Sequence, residues 1–404
     1  MRIGMFSWES LYSVRVGGIA PHVSELSEAL AKKGHEVHVF TTRGDFDAYD
    51  RINGVHYHRV DFDKSGNIVE QMDSMSAAMC ESFLKAQNVF GKFDIAHGHD
   101  WHPVVTLNLI KKDHGIPYIL TMHSTEWGRN GNKWGFGLSQ EISRREWLGG
   151  YESSKLIVTT RLMQDELKTI YSIPESKISI IPNGIVRGKI CKALDPGQVK
   201  ERYGIHPLAP VVLFCGRISY QKGPDLLVEA MPLILRTRQD IRFVFMGEGD
   251  MSYYCENRAR ELGVSDACRF LGYVPGAEKQ ELINACDLVC VPSRNEPFGI
   301  IVLEAWDAGK PVVATEAVSI IRNFEDGLLA YVQPKSIAWC INRLLRSPEE
   351  MMRLAESGQN RLEKEFSWDK IAEKTENVYG EIMGSNRGLE ASTVKSKSSR
   401  RKNN

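Results

Sequence analysis

Short runs of β-branched and other apolar residues alternate with amphipathic stretches along almost the whole chain. After a first strand near the N-terminus, the pattern predicts strands at Val37–Thr41, Asp94–His97, Tyr118–Met122, Lys155–Thr159, Ile178–Ile181, Val211–Cys215, Arg242–Met246, Cys268–Leu271, Leu288–Val291 and Pro311–Ala314. It predicts helices at Val23–Lys33, Pro103–His114, Met163–Tyr171, Gly197–Tyr203, Pro224–Leu235, Tyr253–Leu262, Lys279–Ala285, Val302–Ala308 and Ser336–Leu345. Regular alternation favours an α/β fold of two doubly wound domains facing across a cleft, with ligands at the carboxyl ends of the strands.

The domain boundary is expected after Pro182-Asn183-Gly184, where a strand ends and a polar stretch follows. This assigns residues 1–188 to an N-terminal domain and residues from 189 onward to a C-terminal domain. Residues 385–404 carry six Lys/Arg and one acid, Glu390, so they sum to +5 in a chain whose net charge is +0. This basic tail has little to bury, which predicts disorder. We expect a solvated tail, with weak association with an anionic membrane as the alternative.

Composition narrows the function classes. With 404 residues, 42% apolar and 25% charged, the chain is typical of a soluble globular protein of two domains. The balanced charge argues against a nucleic-acid partner, and no apolar run approaches the roughly 20 residues of a membrane helix. The eight cysteines are scattered without a Cys-x-x-Cys pair, which predicts reduced thiols and a cytoplasmic location.

The most informative stretch runs from Glu296 to Glu304, with Pro297 and Gly299 marking a turn before an apolar helix. Eight residues at about 1.5 Å each separate the carboxylates by roughly 12 Å along the chain. That is farther apart than the roughly 5–10 Å of paired glycosidase carboxylates. The spacing suits two ends of a hydroxyl-rich ligand, and the helix start between them suits phosphate. The pattern therefore predicts a nucleotide sugar as ligand.

Two further loops could bind the anionic part of such a ligand. Gly17-Gly18 follows the first strand and precedes a helix, which favours either close backbone approach to an anion or a simple tight turn. Arg217 and Lys222 follow the strand Val211–Cys215 and could converge on one diphosphate without a metal.

Histidines follow two other predicted strands. His97-Gly98-His99-Asp100-Trp101-His102 is open to three interpretations: a sugar-site wall, hydrogen-bonding core histidines, or a metal site. Because the residues are adjacent on one loop, they make a poor cage unless ligands arrive from elsewhere, so we expect no metal. His123 ends the strand Tyr118–Met122 and could bond a substrate hydroxyl or be structural.

Five motifs in order resemble the family 4 glycosyltransferases of the GT-B fold, a group that includes glycogen synthases. They are Gly-Gly-x-x-x-His at 17–22, His-x-His-Asp-Trp at 97–101, Pro-Asn-Gly at 182–184, Gly-Arg-x-x-x-x-Lys-Gly at 216–223 and Glu-x7-Glu at 296–304. The resemblance covers residues 1–384. It implies that the second domain ends near 365 and that residues 366–384 form a helix crossing back to the first domain.

The resemblance also implies roles for single residues. Gly17 and Gly18 would meet the donor diphosphate through the backbone, and Arg217 and Lys222 would hold it. Glu296 would bind the donor sugar and Glu304 the ribose. The remaining assignments are His123 beside the donor sugar, Asp100 in the sugar site, backbone contacts at Phe298, Gly299 and Ile300, and a base-lining segment at Tyr273 and Val274.

The activity implied is retaining transfer of a hexose, glucose in the glycogen synthase-like members, to a sugar or glucan acceptor. The donor would be an ADP-, UDP- or GDP-linked sugar, with no metal and no other cofactor. A nucleotide-sugar 2-epimerase and a non-catalytic nucleotide-sugar binding subunit are the alternatives. A nicotinamide oxidoreductase is disfavoured, because Gly247-Glu248-Gly249 lies mid-chain and Ser252 replaces the third glycine of that fingerprint.

Overall fold

The computed structural model describes the backbone of residues 1–188 and 195–400, and their side chains as far as residue 384. The chain divides into two compact units. The first comprises Met1–Thr125, Gly135–Gly184 and the chain from Trp368 onward, and the second comprises Glu126–Trp134 and Ile185–Ser367. The first unit thus stops at Gly184 rather than at residue 188, and the assignment of Glu126–Trp134 to the second unit was not predicted.

Strands and helices alternate through most of both units. The strands are β1 (Arg2–Phe6), β2 (Glu36–Thr42), β3 (Tyr49–Ile52), β4 (Val55–Val60), β5 (Ile95–His99), β6 (Tyr118–Met122), β7 (Lys155–Val158), β8 (Ile178–Ile180), β9 (Val211–Cys215), β10 (Arg242–Met246), β11 (Cys268–Phe270), β12 (Leu288–Val291), β13 (Val312–Thr315) and β14 (Leu328–Ala330). The helices are α1 (Ile19–Lys32), α2 (Ile68–Phe90), α3 (Val104–His114), α4 (Glu126–Arg129), α5 (Leu138–Glu152), α6 (Arg161–Tyr171), α7 (Pro196–Arg202), α8 (Pro224–Leu235), α9 (Ser252–Glu261), α10 (Gly276–Ala285), α11 (Ile300–Asp307), α12 (Pro334–Arg346), α13 (Pro348–Glu365) and α14 (Trp368–Arg400).

The first unit is built on an eight-stranded sheet in the order β3-β4-β2-β1-β5-β6-β7-β8. Its neighbouring strands are parallel except β3 and β4, which form an antiparallel hairpin. This hairpin was not predicted, although Asn53-Gly54 marks its turn. Both residues have positive φ, 51° and 86°, as the favoured two-residue hairpin turn requires.

The second unit is built on a six-stranded parallel sheet in the order β11-β10-β9-β12-β13-β14. The strand order reverses between β9 and β12 here, and between β1 and β5 in the first sheet. Ligands of doubly wound sheets bind outside the carboxyl ends of strands at such reversals. The loops after these four strands are therefore the places to look for a site in each unit.

Three long helices were missing from the sequence prediction: α2, α5 and α13. The start of α2 carries a clear signal, because the Asn67 side chain accepts bonds from the backbone of Val69 and Glu70. The Glu70 carboxylate in turn accepts a bond from the Asn67 N–H at 2.9 Å. This reciprocal arrangement is a capping box, in which two otherwise unsatisfied N–H groups of the helix start find acceptors.

The C-terminal helix α14 runs as backbone helix to Arg400. The disorder expected of the tail from residue 385 stays a prediction. Once Trp368 and the following residues are packed in the first unit, each further residue adds a hydrogen bond without a new nucleation cost. No proline after Trp368 interrupts the helix. Residues 401–404 lie outside the described residues, and membrane association of the tail stays a prediction.

The oxidation state of the cysteines and the apolar character of the helices bear on the cellular location of the protein. The seven described cysteines are all free, and five of them are buried; Cys191 lies outside the described residues. Burial raises the pKa of Cys286 to about 12, so this thiol is uncharged at neutral pH. Among the described residues, no helix combines the length and apolar character needed to cross a membrane. The cytoplasmic location stays a prediction.

The substitution Gly358→Ala is expected to lower the free energy of unfolding by about 1–3 kcal/mol, the usual cost of overpacking. A Cβ on Gly358, in α13, would lie 2.2 Å from the ring of Trp306. That ring is fully buried and donates its N–H to the Asp326 carbonyl at 3.0 Å, so it cannot move aside cheaply. Urea unfolding measures the effect.

The control is Gly380→Ala on the exposed face of α14, where no atom lies within 4 Å of the added Cβ. Helix propensity alone should make this variant more stable by roughly 0.5–1 kcal/mol. If both variants gained stability, the packing of Trp306 against α13 would not be as described.

Candidate active site

In the second unit, the loop after β12 turns into α11 at Gly299. Gly299 has φ 92° and ψ 60°, a left-handed conformation that side chains disfavour, and the helix begins at Ile300. The helix starts two residues earlier than the expected Val302, because Gly299 rather than the apolar run sets its first turn. Phe298 is buried in the core of this unit, so only its backbone is available to a ligand.

Glu296 lies at the end of this loop and is held by two donors. Lys222 Nζ lies 2.8 Å from each of its carboxylate oxygens, and Ser293 Oγ donates to Oε2 at 3.0 Å. Glu296 is 5% exposed, whereas the Lys222 side chain is 27% exposed. A nearly buried carboxylate is thus neutralised by a lysine that solvent can still reach.

Glu304 has a lysine partner of its own. Lys279 Nζ on α10 donates to Glu304 Oε1 at 2.7 Å, while the other carboxylate oxygen is buried without a hydrogen-bond partner in the described structure. Burial by itself would lower the pKa of Lys279, but attraction to Glu304 outweighs burial and raises it. The unbonded oxygen is an acceptor that a ligand hydroxyl could satisfy.

The two cations predicted to converge have different surroundings. Lys222 is bound to Glu296, as described above. Arg217 follows β9 and is exposed, and its guanidinium makes no hydrogen bond or ion pair to any other residue in the described part of the chain. Arg217 therefore offers its donors to an anion directly, while Lys222 would share its ammonium between Glu296 and a ligand.

A third ion pair, which the sequence analysis missed, fixes the loops that carry Lys222 and Glu296. Arg294 binds both oxygens of Asp225 at 2.8 and 2.6 Å, and its guanidinium lies 4.0 Å from the ring centre of Tyr220. The Arg294 N–H also donates to the Gln221 carbonyl at 2.8 Å. An acidic residue in the first turn of α8, Asp225, was visible in the sequence. Its partner, Arg294, lies 69 residues away, and the sequence alone did not predict that contact.

The predicted base-lining segment lies beyond the end of β11. Tyr273 is 75% exposed and Val274 is half-buried, and the Tyr273 N–H donates to Glu248 Oε1 at 3.3 Å. An exposed aromatic ring on a fixed backbone can stack on a flat partner such as a base.

In the first unit, a buried carboxylate already occupies the glycine loop after β1. Glu9 Oε2 accepts bonds from the N–H groups of Val16 and Gly17 at 2.6 and 2.8 Å. Burial raises the pKa of Glu9, and these two bonds partly oppose that rise. An external anion would reach the Gly17 N–H only by displacing Glu9, which favours the tight-turn interpretation at Gly17. Gly18, next to the start of α1, is also exposed, and its N–H is not bonded to Glu9.

Three histidines from separate elements meet in the first unit: His22 in α1, His99 at the end of β5 and His123 after β6. The Nδ1 of His22 lies 2.8 Å from Asn183 Oδ1, and His99 Nδ1 lies 3.2 Å from His123 Nε2. Burial lowers the pKa of His22 and His99 well below the usual value, and that of His123 to about 3, so all three rings are neutral at pH 7.

Asp100 and two histidines of the same segment, His97 and His102, make contacts within the first unit. One Asp100 oxygen accepts a bond from the His123 N–H at 2.6 Å, so this carboxylate positions His123. His97 is fully buried between Tyr379 on α14 and Thr121, each at 2.7 Å, which is the hydrogen-bonding core interpretation. His102 stacks on Trp8 and Trp101. Of the three loop histidines, only His99 contacts His123.

Two family models match the chain. The model described as Glycosyltransferase Family 4 matches residues 16–187, and the one described as Glycosyl transferases group 1 matches residues 198–361. An uncharacterised glycosyltransferase of Methanocaldococcus jannaschii is 35% identical over 397 residues, which cover 95% of this chain and 100% of that protein. The glycogen synthase of Mycobacterium tuberculosis is 29% identical over 403 residues, which cover 94% of each chain.

A solved structure with the same architecture is the catalytic domain of starch synthase IV from Arabidopsis thaliana, bound to ADP and acarbose. It has a TM-score of 0.77 and 17% identity, and the match covers 95% of this chain and 99% of that one. The two sheets, parallel except at the β3–β4 hairpin, are those of the GT-B fold. The chain belongs to the family 4, group 1 glycosyltransferases.

Proposed function

We propose that the protein is a retaining glycosyltransferase that moves a hexose, namely a glucosyl unit, from a nucleoside-diphosphate sugar to a sugar or glucan acceptor. The similarity to a glycogen synthase, and to the fold of a starch synthase bound to ADP and acarbose, supports this choice of donor and acceptor. Transfer is proposed to need no metal, because cationic side chains can carry the charge of the leaving diphosphate.

The observation that carries the proposal is the pair of lysine-bound carboxylates at the two ends of one loop-helix motif. Glu296 would accept hydroxyls of the donor sugar, and its bonds to Lys222 and Ser293 fix its orientation. Glu304 would accept a ribose hydroxyl through the buried oxygen that has no partner in the described structure. Both assignments place acceptors where a nucleotide sugar carries donors.

The diphosphate would be bound between these ends of the motif. Free N–H groups at the start of α11 favour an anion, and Gly299 leaves the approach open. Arg217 adds an exposed guanidinium and Lys222 an ammonium that can turn towards phosphate. In the first unit, we assign His123 to the donor sugar, positioned by the bond from its N–H to Asp100.

Nucleoside diphosphates should raise the unfolding temperature of the purified protein in a chelator-containing buffer. A ligand at 100 times its dissociation constant adds about 2.7 kcal/mol to the free energy of unfolding. UDP, ADP and GDP and their glucose conjugates are compared, with the matching monophosphates as controls because they lack the second phosphate. One base should give the largest shift, and its monophosphate a smaller one.

Product analysis with the same donor and a malto-oligosaccharide acceptor completes the test. A transferase lengthens the acceptor and releases the diphosphate. Donor binding without turnover would indicate a binding subunit instead, and conversion of the donor sugar without an acceptor would indicate an epimerase. Equal shifts with mono- and diphosphates, or none with any nucleotide, would contradict the proposed diphosphate site.

A further inference from the structure

His22, His99 and His123 form the one group in the described part of the chain whose ligand atoms have the spacing of a metal site. One ligand atom from each ring lies within 4.8 Å of those of the other two. In a tetrahedral zinc site with Zn–N bonds of about 2.0–2.1 Å, ligand nitrogens are roughly 3.4 Å apart. The 3.2 Å between His99 Nδ1 and His123 Nε2 already has this length. The ligand atom of His22 lies within 4.8 Å of the other two, so it needs to approach by at most about 1.4 Å.

The rings are also oriented as ligands. The Asn183 oxygen accepts the proton on His22 Nδ1, which leaves the lone pair on Nε2, and this Nε2 is buried without a hydrogen-bond partner. Metal-bound histidines usually donate their second N–H to such a carbonyl or carboxylate oxygen. His99 would bind through the Nδ1 that faces His123, so its proton would lie on Nε2, which is buried and has no partner in the described structure.

The unbonded nitrogens need a physical reason. A buried polar atom without a partner costs about 1–3 kcal/mol, and two occur here in one cluster. A second trio, His38, His56 and His58, shows the usual alternative, because His38 bonds both His58 and Glu36 through its two nitrogens. The two trios have the same residue types but differ in whether ring nitrogens are left without a hydrogen-bond partner.

We propose that His22, His99 and His123 bind one divalent transition-metal ion of the zinc class. Three neutral imidazoles suit zinc, nickel or copper rather than magnesium or calcium, which require oxygen ligands. Three protein ligands leave a fourth position open to water or to another small ligand.

The ion would inhibit the enzyme rather than serve it. His123 is the residue assigned to the donor sugar, and a metal on its Nε2 would hold the ring in the cluster and leave only Nδ1 for a sugar hydroxyl. This second step rests on the proposed function, whereas metal binding itself does not.

The test is equilibrium dialysis of the metal-free, tag-free, full-length protein against Zn²⁺, with Co²⁺ as a spectroscopic probe. We expect one tightly bound equivalent and the visible absorption bands of four-coordinate cobalt. The variants His22→Gln and His99→Gln should each lose this equivalent. His56→Gln, in the second trio, should keep it.

Because His22 and His99 are buried, thermal melts must show that their variants fold. Asn183→Ala is the second route to the same answer, because it keeps all three ligands and removes only the acceptor that orients His22. Loss of such an outer partner lowers metal affinity by about 10- to 100-fold. Two results would overturn the site. One is binding of less than one equivalent by the wild-type protein, and the other is unchanged binding in His22→Gln, His99→Gln and Asn183→Ala.

Inhibition is measured separately as sugar transfer with and without one equivalent of Zn²⁺. Loss of transfer, restored by a chelator, supports the inhibitory role. Undiminished transfer by the zinc-loaded enzyme would overturn that role and leave the binding result intact. If no donor is turned over under any condition, the proposed function fails, while dialysis still decides the metal site.

Discussion

Replacing Glu296 with glutamine is expected to lower the turnover number of sugar transfer by at least about 100-fold. Hydrogen bonds to a charged group contribute about 1.5–3 kcal/mol each, and two such bonds to sugar hydroxyls account for a loss of this size. Glutamine keeps the shape of the side chain and an oxygen for Lys222 and Ser293, so the loop should hold its conformation. Steady-state kinetics with the donor identified by thermal shift give the turnover number and KM.

The matched control is Glu201→Gln, which makes the same chemical change on an exposed position of α7. It should leave the kinetics unchanged. Glu296→Gln must also unfold at nearly the wild-type temperature, which separates a chemical effect from a folding defect. A folded Glu296→Gln enzyme with near wild-type turnover would refute the assignment of Glu296 to the donor sugar.

The sequence located this motif because its evidence is local. Glu296, Gly299 and Glu304 lie within nine residues, and a turn followed by a helix sets their spacing whatever surrounds them. The lysines are a different matter. Lys222 was expected on phosphate and is found on Glu296. Lys279 was not considered, because it meets Glu304 across 25 residues and only the tertiary fold brings the two side chains together.

The histidine trio shows the same limit more clearly. His97, His99 and His102 were weighed together because they are neighbours in sequence. His97 and His99 do share one face of β5 and stack on each other at 4.6 Å, but His97 bonds Tyr379 and Thr121, His99 bonds His123, and His102 lies beyond the strand on two tryptophans. The partners of His99 come from α1 and from the end of β6, 77 and 24 residues away. Topology brings those elements together, since β1, β5 and β6 are adjacent in the sheet.

Replacing Lys222 with methionine is expected to have two separable effects. Affinity for the nucleoside diphosphate should fall at least about tenfold, because one charge-assisted bond to phosphate contributes about 1.5–3 kcal/mol. The free energy of unfolding should also fall by about 2–3 kcal/mol, because the nearly buried Glu296 carboxylate keeps only Ser293 as a partner. That is less than the 3–5 kcal/mol for breaking a fully buried pair, since Lys222 is 27% exposed.

The double variant Lys222→Met/Glu296→Gln distinguishes the two effects. Removing the unpaired charge should restore most of the stability, whereas the affinity for the diphosphate should stay low because no ammonium is present. Urea unfolding and calorimetric titration of the wild type, both single variants and the double variant give the coupling energies. If the double variant recovered its affinity together with its stability, Lys222 would act only by neutralising Glu296, and the phosphate contact would have to be assigned to Arg217 alone.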